Sequence, residues 1–416
     1  MGAILVAWMV VGALPPPPLD DGLACQRWAV EASEALLRAP QPSTTPLDPR
    51  ASGGLSEVPD EVWAELGTFE LPRSNDAAVA SLRAVKEGAA PVSSVPALDK
   101  ALPAAEQSLR QVLIAARGPA SRLPDAWQVW STLGGHGRDM DRAQLNVPNL
   151  VLAFGWRGLE RGRTEDAALA CVGLAGFLRA LGGTGLIGQM LSASVIRGHS
   201  LLCIATAQRV PSRTRHELAA AITLVEREWP PFSHTLGQEL VFGQLVGLDS
   251  FPSELRSQVP DRWRALGRRI STDDEGSWTR RLRERLFGGW ALKERCLTTA
   301  KLVAVADSLP SVGDPVFLAS APSTTLASLA WEDAGSSNWL GFARRMRGVR
   351  TQLRLLSCAL RLSTGESFVA PTDARTGRSI ELRGAGPDRA VVAVADPVFG
   401  AEELLLPVPE GRPTTP

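Results

Sequence analysis

The chain has 416 residues, with 44 Lys and Arg against 44 Asp and Glu, 44% hydrophobic and 21% charged residues. That balance excludes a disordered, charge-rich chain, and zero net charge gives no field that would gather nucleic acid or an anionic membrane. All basic residues but Lys86, Lys100, Lys293 and Lys301 are arginine, and tyrosine is absent, so chemistry that needs a phenol as acid or nucleophile is excluded.

The first element is an apolar run from Ala3 to Leu14, followed by Pro15 to Pro18 and the pair Asp20-Asp21. It is too short to cross a bilayer, which takes about 20 residues, and its length suits the apolar region of a signal peptide. No basic residue precedes it, the first being Arg27. The expectation is a chain exported to, or tethered at, the cell envelope on the periplasmic side. The alternative is a cytoplasmic chain whose first helix is buried.

The cysteines are Cys25, Cys171, Cys203, Cys296 and Cys358, with no C-x-x-C pair. An odd number at wide spacing, four of them inside apolar stretches, reads as buried inert thiols, with neither a disulfide framework nor a zinc site.

After the leader (residues 1–21), residues 22–144 read as helices divided by Pro/Ser/Gly-rich linkers. Helices are expected over 25–38, 59–67, 75–88 and 98–117, with loops at 40–59 and 89–96. Residues 145–310 read as a core of helical hairpins: 148–162, 164–181, 186–208, 212–229 and 235–248. Thr164 and Ser212 are the expected N-caps, and a short helix at 262–270 and a longer one at 277–307 follow. Short connections make these helices antiparallel neighbours. Gly162, Ala167-Ala168, Leu174 and Leu178 give one hairpin a tetratricopeptide-like pattern, with no second copy at the 34-residue period of that repeat.

Residues 311–400 are expected to hold a last long helix, 338–362, and a β-hairpin. In the helix, Phe342, Met346, Val349, Leu353, Leu356 and Leu360 form a packed seam. Ser379 to Arg383 and Arg389 to Ala395 are the strands of the hairpin, and residues 401–416 read as a disordered tail. The fold class is therefore mainly α: irregular antiparallel helical hairpins, partly tetratricopeptide-like, with a small C-terminal β-hairpin.

A long helix, Gly365, and then Asp373-Ala374-Arg375-Thr376-Gly377 leading into a hairpin resembles the C-terminal module of large uncharacterised exported proteins of myxobacteria and planctomycetes. In that group a D-P-x-T-G motif introduces the hairpin, which looks like the end of a major pseudopilin of type II secretion. Residues 149–240 resemble the helical hairpins of the same group, so the similar stretches cover a little over half of the chain. Ala374 stands in place of the motif's proline, and no calcium loop follows the hairpin. The resemblance implies an exported helical protein without a named reaction. It does not imply pilus assembly, for which no methylated N-terminal helix is present.

Candidate chemistry is sparse. Gly183-Thr184-Gly185-Leu186-Ile187-Gly188 spells the dinucleotide-binding G-x-G-x-x-G, but an expected helix precedes it where a strand is required, so it reads as a helix-to-helix turn. Gly198-His199-Ser200 lacks the second glycine of a hydrolase elbow, because Leu202 occupies that place. His136, Asp139 and Asp141 share a polar loop that specifies no metal.

Within the helical middle, Gln189, Arg197 and His199 interrupt an apolar helix, and His234 and Glu239 flank the next apolar pair. A charge among apolar residues requires a partner, so Arg197 with Glu239 is an expected buried ion pair. The alternative for this set is catalytic, with His199 or His234 as base and Glu239 as acid. Arg347, Arg350, Arg354 and Arg361 form a basic stripe along the last helix, either a grip for phosphate or an acidic partner, or a solvated face.

The functional expectation is a non-enzymatic helical scaffold or binding protein of the envelope, with a protein partner, no cofactor and no metal. The alternative is a hydrolase or lyase built on His199, His234 and Glu239.

Overall fold

The computed structural model describes residues 45–51, 53–72, 77–119, 123, 138–183, 186–230, 253–259, 336–366, 372, 379–384, 389–394 and 402–407. These residues are mainly helical. The helices are α1 (Asp60–Gly67), α2 (Ala77–Lys86), α3 (Pro96–Ala116), α4 (Arg138–Glu160), α5 (Thr164–Gly182), α6 (Leu186–Ala207), α7 (Ser212–Glu228), α8 (Ser253–Gln258) and α9 (Ser336–Ser363). The chain divides into two compact units, one comprising residues 1–39 and 231–343, the other residues 40–230 and 344–416. Of the first unit, α8 and the opening turns of α9 are described. The second holds α1 to α7 and α9 from Arg344 onward, and all that follows concerns this unit.

Each helix follows from a local pattern. Asp60 and Glu61 occupy the positive end of the α1 dipole, and Val62, Trp63 and Leu66 form its buried face. Pro96 opens α3 at a position whose N–H has no intrahelical partner in any case. The buried residues of α3, Leu98, Ala101, Leu102, Ala105, Leu109, Val112, Leu113 and Ala116, recur every three or four positions and make one continuous stripe. Helix α5 is buried nearly all round, from Ala170 to Arg179, because α3, α4, α6 and α7 all pack against it. It is the central element of the unit.

Two glycines make this arrangement possible. Gly162 ends the α4–α5 turn at φ 71°, in the left-handed region that a side chain disfavours. At Gly176, a Cβ atom would lie 1.8 Å from the carbonyl oxygen of Ala116, so the backbones of α5 and α3 approach as closely as they do only because no side chain is present.

Polar side chains tie the outer helices to this core. Asn146 on α4 donates from Nδ2 to the carbonyls of Leu66 (2.9 Å) and Phe69 (2.7 Å), satisfying the end of α1. Trp156 donates from Nε1 to the Lys86 carbonyl at the end of α2 (3.0 Å), and Glu160 accepts from the Val92 N–H (3.0 Å). Arg110 on α3 meets Asp166 on α5 at 2.6 Å and lies over the Phe154 ring. Helix α9 joins α7 through Ser357 and Thr223 (2.8 Å) and through Arg354 and Glu226 (2.9 Å), beside the buried seam of Val349, Leu353, Leu356 and Leu360.

Several expectations need correction. The helix expected to begin at Pro148 begins at Arg138, and Pro148 lies inside it. Thr164 and Ser212 are the first residues of their helices and not caps. Arg163 and Pro211 hold the cap positions, and neither makes a side-chain cap bond. The residue-144 boundary falls inside α4. The helices expected at 25–38, 235–248, 262–270 and 277–307 lie outside the described residues. The segment Gly188–Ala207 is long and apolar enough to cross a membrane, with mean hydropathy 1.3, and 61% of it is buried in the structure.

Candidate functional site

His199 projects from α6 toward α5 and is fully buried. Its Nε2 lies 2.9 Å from the carbonyl oxygen of Cys171. A carbonyl only accepts, so Nε2 carries the proton and Nδ1 is a bare lone pair, buried without a hydrogen-bond partner. The Sγ of Cys203, one turn further along α6, is 3.3 Å from the same Nε2. Burial disfavours the imidazolium and lowers the His199 pKa to about 4, the bond to the Cys171 carbonyl opposing only part of the shift. Near neutral pH this ring is a neutral, dry donor. His234 and Glu239, its expected companions, lie outside the described residues.

The other candidates fall apart spatially. Gln189 is buried and donates from Nε2 to the carbonyl of Gly182 (3.3 Å), closing the α5–α6 turn. The expectation of a buried Arg197 is corrected: its side chain is 65% exposed, and its carboxylate neighbour is Glu87 at 3.9 Å. Among the described residues the buried cation is instead Arg179, which meets Glu228 at 3.1 Å and donates to the carbonyls of Thr45 and Gly118. Gly183 follows helix α5, so the G-x-G-x-x-G sequence starts at a helix end and not after a strand. His136 lies outside the described residues.

The basic stripe is internally paired. Arg350 and Arg354 both reach Glu226, at 3.9 and 2.9 Å, Arg354 also bonds the Thr372 carbonyl, and Arg361 holds Glu366 at 2.7 Å. The bond from Arg361 keeps the Glu366 carboxyl below its ordinary range. Arg347 lies on α9, and its side chain is outside the described set. Among the described residues no group of three His, Cys, Asp or Glu is placed to hold a metal ion.

A groove of about 1190 Å³ lies between α5, α7 and the segment Thr45 to Arg50. Leu47, Leu169, Val172 and Leu224 give it an apolar floor. Its rim is charged and cross-linked. Arg50 bonds Asp48 at 2.9 Å and lies 3.7 Å from Glu217, which also meets Arg213 at 3.4 Å. Burial alone would raise the Asp48 pKa, but the bonds from Arg50 and the charge of Arg117 outweigh it and hold the carboxyl low. An apolar floor with fixed polar groups at its edge fits adsorption of a ligand. Nothing in the sequence marked this groove, because its walls come from three segments far apart in the chain.

No family model matches the chain, and neither the curated proteins nor the solved structures contain a match.

Proposed function

We propose that the protein is a non-enzymatic helical binding protein whose α5–α7 groove receives an amphipathic peptide segment of a partner protein. The groove carries this reading: an apolar floor buries one face of such a segment while Arg50, Arg213 and Glu217 flank its polar face. The tetratricopeptide-like pattern lies on the α4–α5 hairpin, of which α5 forms one wall of the groove. An envelope location belongs to the same proposal and draws on the apolar run from Ala3 to Leu14 and on the resemblance to exported helical proteins.

The C-terminal β-hairpin is a further part of it. Glu381–Gly384 pairs antiparallel with Arg389–Val394, with Leu382 opposite Val392, and Glu402–Pro407 adds a third strand beside the second. The hydrolase or lyase alternative draws no support from His199, whose ring faces a carbonyl and a thiol in a dry interior.

The test is an array of amphipathic helical peptides probed with the full chain, followed by anisotropy titration of those that bind. Binding that Leu169→Glu and Leu224→Glu each weaken at least tenfold, with far-UV circular dichroism unchanged, is expected. Binding indifferent to both substitutions, or turnover of a chromogenic ester that disappears in His199→Gln, would overturn the proposal.

A further inference from the structure

His199, Cys203 and Thr206 follow one another at spacings of four and three along α6 and form a single stripe facing α5. Cys171 of α5 covers this stripe from end to end. Its carbonyl meets the His199 ring at 2.9 Å, and its Sγ lies 3.6 Å from the Thr206 hydroxyl. Cys203 sits between those two contacts, its own Sγ 3.3 Å from His199, and burial together with the adjacent Cys171 thiol holds its pKa high. Both cysteines are fully buried and both are free thiols. Two helices packed side by side thus present one thiol each to the same dry spot, each touching the His199–Thr206 stripe.

We propose that Cys171 and Cys203 are joined in a disulfide between α5 and α6 when the chain folds in an oxidising medium. The oxidant is a disulfide such as oxidised glutathione. One cysteine thiolate attacks it, giving a mixed disulfide and releasing one glutathione thiolate. The second cysteine thiolate then attacks the protein sulfur of that mixed disulfide and releases the other. Two protein thiols become one S–S bond, two protons are lost from sulfur, and the two electrons leave in the reduced glutathione.

Timing follows from burial. The Cys203 thiol is held well above its ordinary pKa and has no solvent exposure, so the attacking thiolate is available before α5 and α6 close and scarce afterwards. The bond closes a loop of about 30 residues and restrains the unfolded chain. The inference rests on the packing of α5 and α6 and is independent of the groove.

The experiment unfolds the full chain in denaturant with reductant and dilutes it into a glutathione redox buffer or into reductant alone. Free thiols are then alkylated, and the chain is digested without reduction for mass spectrometry. Expected are a peptide pair joining Cys171 to Cys203 from the redox buffer only, its loss in Cys171→Ser, and a higher melting temperature for the bridged protein. Folded reduced protein placed in the same buffer should gain the bond at least tenfold more slowly.

A Cys25→Ser/Cys296→Ser/Cys358→Ser variant should still form it. Where dilution fails to refold the chain, secretion into an oxidising periplasm supplies the same sample. Alkylation of both Cys171 and Cys203 in folded protein from the redox buffer, or a bridge from either to another cysteine, would overturn the proposal.

Discussion

A single ring shows how position fixes chemistry. In water, histidine takes up a proton near pH 6.5, but His199 has a carbonyl before one nitrogen and nothing before the other, and protonation there would bury an unpaired charge. Its pKa in the folded chain is therefore about 4. Between pH 6.5 and 4 the unfolded chain binds a proton at this position that the folded chain does not. Stability thus falls as pH falls through this window, is unaffected by the residue above it, and levels off below it. The full difference is up to about 3 kcal/mol. Urea titrations between pH 7 and 4 should show His199→Gln losing less stability than the parent over that range. Equal losses in both chains would show that the ring is protonated in the folded state.

Element by element, what repeats locally was readable in advance and what depends on a partner was not. The stripe of α3, the turn at Gly162 and the seam of α9 follow from apolar spacing and turn chemistry. The start of α4 did not, because Pro148 is tolerated within a helix that Leu150, Val151 and Phe154 anchor to the core. The principle that a buried cation needs a carboxylate held, but it applies to Arg179 and Glu228 rather than to Arg197. One sequence cannot say which arginine of an apolar helix faces inward. The groove was illegible because its walls come from segments far apart in the chain.

The same scale yields a contrast between two glycines. Gly176→Ala forces a methyl group against the Ala116 carbonyl and should cost at least about 2 kcal/mol, because two buried backbones would have to separate. Gly162→Ala meets nothing within 4 Å and should cost only the strain of its positive φ, about 1 kcal/mol. Urea midpoints of the two variants test the ordering, and equal losses would contradict the close approach of α3 and α5.

At the scale of the whole molecule, the even balance of 44 basic and 44 acidic residues recurs in how the described charges are placed. Arg350, Arg354 and Arg361 spend their charge on Glu226 and Glu366, and Arg50 and Arg213 spend theirs on Asp48 and Glu217. An anionic surface would have to displace these carboxylates before gaining anything from the arginines, and Arg354 with Glu226 is a partly buried pair. The chain should therefore sediment no more with vesicles rich in anionic lipid than with neutral ones, even at low salt, where surface charge acts furthest. Glu226→Gln removes the carboxylate that Arg350 and Arg354 both reach, so this variant should gain salt-sensitive binding to the anionic vesicles. Strong, salt-sensitive binding by the parent chain would instead place a free basic surface on the protein and make anionic attraction a means of holding it at a membrane.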